Sequence, residues 1–150
     1  MSPSSVAREA INRVQIMQLA TSRADKPWVV TVHFYADDDF NIYWISRADR
    51  RHSEELRANP NVAATILVHE NTADENWVTA ITISGQAEEL SKLDDTIAQA
   101  YLAKLGKNPE EVQGAAKGDG PAKFYRLKSS QIILFDTKNF PENPRQEVQL

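Results

Sequence analysis

The sequence predicts a mainly β, α+β domain in which an antiparallel barrel carries peripheral helices. Apolar runs recur at hairpin spacing along most of the 150 residues, and several alternate with polar residues as half-buried strands do. Helical periodicity is confined to the N-terminus, one short polar stretch and the region after Leu90. That order favours hairpin-linked strands over a parallel doubly wound sheet, which needs a crossover between each pair of strands. No internal repeat, low-complexity tract or linker divides the chain, so residues 1–150 read as a single domain.

Ser2-Pro3 starts the first helix, with Ser2 as N-cap and Pro3 where its missing N–H costs nothing. Val6, Ala10, Ile11 and Val14 follow at helical spacing to about Arg13. Gln15–Thr21 is a short apolar strand, and polar Ser22–Lys26 turns into the next. Pro27–Ala36 alternates: Trp28, Val30, Val32 and Phe34 share one face of a half-buried strand, Val29, Thr31, His33 and Tyr35 the other. Asp37, Asp38 and Asp39 mark a solvated hairpin turn in preference to a cation site, and Phe40–Ser46 returns.

Arg47, Arg50, Arg51 and His52 then crowd one turn. Ser53 is placed to cap a helix through about Ala58, which Asn59-Pro60 stops. β-branched Val62–Val68 is a central strand, His69–Asn76 a polar loop and Val78–Glu88 a further strand, where Gly85 signals a bulge or close approach. Leu90–Leu105 is helical, with Gly106 as C-cap, and Pro109–Lys117 adds a short helix. Two short strands, Phe124–Leu127 and Gln131–Asp136, precede a Pro-containing tail from Thr137 expected over the surface or across a partner subunit.

Composition narrows the chemistry. A chain with 41% hydrophobic and 25% charged residues fits a soluble domain, and one this long buries roughly 68–70% of its unfolded surface without staples. The absence of cysteine removes thiol catalysis, thiolate metal sites and disulfides. The opening MSPSSVAREAINRV lacks a signal-peptide core, and no run approaches ~18 apolar residues, so a cytoplasmic protein without membrane contact is expected. A net charge of −4 disfavours nucleic acid as a partner. No dinucleotide or P-loop glycine pattern, HExxH pair or nucleophile elbow occurs, so no metal is expected and no catalytic residue stands out.

What remains is the basic turn. Arginine forks match phosphate oxygens, and a helix N-terminus beside them adds N–H groups and a favourable dipole. A solvated turn whose arginines pair with Asp49, Glu54 or Glu55 explains the pattern equally well.

The order LATSRADKPWVVTVHFYADDDFNIYWISRADRRHSEELRANPNVAATILV, followed by ITISGQAEEL, resembles the FMN-binding split-barrel family related to pyridoxamine 5'-phosphate oxidase. The resemblance spans about Gln18–Leu90 and, more loosely, Phe124–Asp136. It implies an antiparallel split β-barrel in a homodimer with the site between subunits. It also implies FMN, with deazaflavin F420 as the alternative cofactor, and a small-molecule substrate. By the same resemblance Val30, Thr31 and Val32 line the isoalloxazine ring, while Ser46 and Arg50 contact the phosphate or ribityl chain. Arg51 either assists or points outward, and His52 stands where the family usually has lysine. The implied activity is that of a flavin-dependent oxidoreductase; the alternative is a non-catalytic flavin-, F420- or haem-binding or stress-related protein. The family's C-terminal Arg-x-His substrate motif is missing from YRLKSSQIILFDTKNFPENP, so pyridoxamine phosphate is not the expected substrate.

Overall fold

A computed structural model describes residues 1–150. Its elements run α1 (Pro3–Asn12), β1 (Ile16–Arg23), β2 (Lys26–His33), β3 (Tyr35–Ala36), β4 (Asn41–Arg47), α2 (Arg51–Ala58), β5 (Asn61–His69), β6 (Thr79–Leu90), α3 (Asp95–Leu105), α4 (Pro109–Lys117), β7 (Ala122–Asp136) and β8 (Arg145–Glu147). The strands form one antiparallel sheet in the order β2-β1-β5-β6-β7-β4-β3, with β8 added beside β7. β2 and β3 end that path on opposite sides, yet only Phe34 separates them in the chain. The sheet must therefore curl until its ends meet. β3 pairs with β4 through Tyr35–Tyr43 and Ala36–Ile42, whereas β2 makes no ladder with β4. Carried on, the same register would set Thr31 opposite Arg47, Val32 opposite Ser46 and His33 opposite Ile45. Instead the strands part there, and the barrel is split.

Apolar faces of the strands fill the interior, with Phe34, Trp44, Ile66, Ile81 and Tyr125 fully buried. Ala7, Ala10 and Ile11 of α1 close one end and Leu56 of α2 another. Outside, α3 and α4 cover a smaller cluster in which Tyr101 packs edge-on against Phe124, centroids 5.1 Å apart.

Many local signals act as the residues require. Ser2 Oγ accepts from Ser5 N–H, Asp94 and Asn108 cap α3 and α4, and Gly106 ends α3 at φ 61°. Asp37 is the acceptor that builds the acidic turn. Its carboxylate takes bonds from the Asp39 and Asn41 N–H groups, the Asn41 amide and the Tyr43 hydroxyl.

Other expectations are corrected. The first hairpin is tighter than Ser22–Lys26: Ala24 and Asp25, at φ 50° and 61°, make the whole turn. Pro27–Ala36 is two strands broken at Phe34, and β2 is far more exposed than a half-buried strand because it lies at the sheet edge. Leu90 ends β6, and helix α3 begins only after Asp94. Arg50, not Ser53, is the N-cap of α2. Phe124–Leu127 and Gln131–Asp136 are one strand, β7. Ser129 and Ser130 between them do not break the chain, because their hydroxyls donate to the carbonyls of Phe40 and Ser84 opposite the β6 bulge. The tail lies over the surface, as expected, but it is pinned there rather than loose. It adds β8, buries Val148 in the core and reaches α1, where Ser4 Oγ donates to the Gln149 carbonyl.

Candidate phosphate-binding site

Where β2 and β4 part, a cavity of about 290 Å³ opens. Thr31, Val32 and His33 form one wall, Ile45, Ser46 and Arg47 the other, Arg50 and His52 one end, and Tyr101, Lys107, Glu111 and Val112 the cover. β4 delivers its last residues there, and extended Arg50, φ −77° and ψ 150°, bends the chain into α2. The N–H groups of Arg51, His52 and Ser53 begin that helix and have no acceptor within the protein. Four such orphan donors are inherent to a helix start, and with the helix dipole they favour an anion.

The turn is held rigidly. Ser53 Oγ donates to the Arg47 carbonyl at 2.8 Å, and Arg57 donates to the Ala48 carbonyl at 2.8 Å. Buried Glu55 receives Arg51 Nε and Thr21 Oγ1, both at 2.7 Å, and these two donors hold its carboxyl below the usual range, Arg51 first. Arg51 also lies 4.1 Å over the Trp28 ring. It staples α2 to β1 and β2 and does not border the cavity.

The other basic residues divide their roles. Arg47 makes a two-pronged pair with Asp49 at 3.1 and 3.0 Å, so the solvated-turn reading holds for that residue. Arg50 has only a 3.8 Å contact to Asp49 and leaves 59% of its side chain exposed. His52 is 7% exposed, and its Nε2 is hydrogen-bonded to Ser46 Oγ at 2.8 Å. Burial first, then the Arg50 charge, lowers the His52 pKa against the opposing pull of Glu55. The imidazole is therefore a neutral partner at pH 7.

Residues 4–136 match the family profile described as Pyridoxamine 5'-phosphate oxidase. The chain belongs to the pyridoxamine 5'-phosphate oxidase family. Solved structures agree on the split-barrel fold. An FAD-binding protein from Mesorhizobium loti is 20% identical with TM-score 0.66, the match covering 87% of this chain and 90% of that one. A conserved hypothetical protein from Mycobacterium tuberculosis is 17% identical with TM-score 0.72, over 100% and 93%. A haem-binding protein from Mycobacterium smegmatis is 18% identical with TM-score 0.69, over 89% of this chain but 54% of its own. No curated protein matches the chain in sequence.

Of the residues expected at a pyridoxamine 5'-phosphate oxidase-like site, Thr31, Val32, Ser46, Arg50 and His52 border one cavity. Val30 packs toward the barrel core and Arg51 turns to Glu55. Sequence reasoning counted Arg47 in the basic turn without giving it a contact of its own, and it missed His33 and the cover from Tyr101 to Val112. Gly106 and Pro109 betrayed the corner that carries Lys107, but only the packing of α3 and α4 brings that corner over the split. Trp77 does not border the cavity; its ring stacks on His69 with centroids 4.0 Å apart and has the Lys138 ammonium 4.4 Å from its centroid.

Proposed function

We propose that the protein is an FMN-binding oxidoreductase working as a homodimer. The observation that carries this reading is the open start of α2 in the split, flanked by the under-paired Arg50 and the neutral Ser46–His52 pair. These groups suit a phosphate monoester: N–H donors, one guanidinium fork and a hydroxyl. Thr31 and Val32 extend the cavity along β2 as a wall for the ring. When bound, FMN supplies the electron and hydride chemistry; the chain binds its phosphate, orients the ring and limits water.

The second subunit is supported by a face of the sheet. Gln18, Ala20, Ala63, Thr65, Leu67, Ala80, Thr82, Ile133 and Phe135 share its outer surface by register and are uncharged, while β8 sets Glu147 and Arg145 at the rim of that face beside Ile133 and Phe135. Leu67 is 50% and Phe135 41% exposed. A face whose centre is uncharged and whose charges are confined to an Arg145/Glu147 rim, on a chain with 38 charged side chains, 17 basic and 21 acidic, fits a second copy of itself. Thr31 belongs to both this face and the cavity, and 290 Å³ lies just below the usual ~300–1,000 Å³ of complete ligand pockets. A partner completing the cavity accounts for both facts.

Incubation with FMN, gel filtration and a visible spectrum test the reading, followed by anaerobic NADPH or NADH. Retained flavin absorbance that bleaches on reductant is expected. Flavin that separates wholly from folded protein would sink it, and retained flavin that no nicotinamide reduces would favour the non-catalytic alternative.

A further inference from the structure

The cations at the split do not add up to the charge they are asked to hold. A phosphate monoester carries about −1.5 to −2 charges near neutrality. Arg47 is engaged by Asp49 and His52 is neutral, so Arg50 is the one cation of the turn with little competition. Lys107 borders the same cavity from the opposite side. Its backbone sits at a fixed corner, between left-handed Gly106 and the Asn108-Pro109 cap of α4. Its side chain makes an unusual contact: the ammonium donates to His33 Nδ1 at 3.1 Å, and it pairs with no carboxylate, not even Glu111 across the cavity cover. His33 has its pKa lowered by burial and then by Lys107, so the acceptor is a neutral imidazole.

We infer that Lys107 is the second cation of the site, carried by a residue remote in sequence from the basic turn, and that it binds the ligand's phosphate with Arg50. An ammonium held only by a neutral ring loses little on exchanging that acceptor for phosphate oxygens, and a flexible four-carbon stem lets it move between them. This inference rests on the FMN reading of the cavity.

The test compares FMN with riboflavin, which lacks the phosphate, by fluorescence titration of full-length wild type, Lys107→Met and Lys107→Arg. Lys107→Met is expected to weaken FMN about tenfold or more while changing riboflavin by less than about twofold, and Lys107→Arg to retain FMN within about threefold, as loss and retention of one charge-assisted bond predict. Equal loss of both ligands in Lys107→Met, or no loss of either, overturns the role of Lys107 while leaving FMN binding intact. Folded wild type that takes up no FMN overturns both readings.

Discussion

Arg50 and His52 share a turn, and their environments separate their roles. Arg50 is exposed and under-paired, so truncating it removes the proposed phosphate donor without disturbing the fold. Arg50→Ala should weaken FMN by at least ~1.5 kcal/mol, the scale of a hydrogen bond to a charged group; isothermal titration checks this. His52 is buried and contributes through its neutral form. Its folded pKa lies below the unfolded 6.5, so the unfolded chain binds the proton more readily. Its contribution is complete above pH 6.5 and is lost as pH falls through the lowered folded value. Urea midpoints of wild type and His52→Gln should therefore converge as pH falls below 6.5. At this scale the sequence was half legible. Identity and spacing marked Ser46, Arg50 and His52. They could not tell that Asp49 occupies Arg47, or that Glu55 and Trp28 draw Arg51 away, because those partners are fixed by which side of α2 meets β1 and β2.

Among the elements, β6 and β7 set the shape of the barrel. Gly85 sits at their bulge, where a Cβ would run into the Lys128 carbonyl. The worst clash of Gly85→Ala is with backbone, which cannot swing aside as a side chain does, so a loss of about 1–3 kcal/mol is expected from chemical denaturation. The glycine was readable as a bulge, yet the long β7 was not: Ser129-Ser130 looks like a break until Gly85 faces it. Helix α3 carries a different strain. Lys104 Nζ is buried without a hydrogen-bond partner, 3.8 Å over the Phe34 ring, and burial lowers its pKa to about 8. The unfolded chain holds that proton up to about 10.5, so the folded protein gains stability as pH rises from 8 to 10.5. Lys104→Met keeps the stem over Phe34 and drops the charge; it should stabilise the protein by about 1 kcal/mol at pH 7 and flatten the alkaline gain, as followed by thermal melts at pH 7 and 10.

The molecule as a whole joins a closed interior to an open edge. Alternation in the strands revealed the barrel from sequence alone. What it hid was the parting of β2 and β4, since two residues of pairing at Tyr35 and Ala36 decide where the barrel closes and where it splits. The largely uncharged centre of the outer face was equally hidden, being assembled from single residues of several strands. If that face joins two copies, Leu67→Lys should convert dimer to monomer in sedimentation equilibrium and weaken FMN together with it, because Thr31 serves both. The most direct test of the whole account is FMN titration of the wild-type protein, with flavin fluorescence and light-scattering mass read on the same sample. The account predicts a dimer that quenches one FMN per chain; a correctly folded dimer that leaves the flavin's fluorescence unchanged would contradict it.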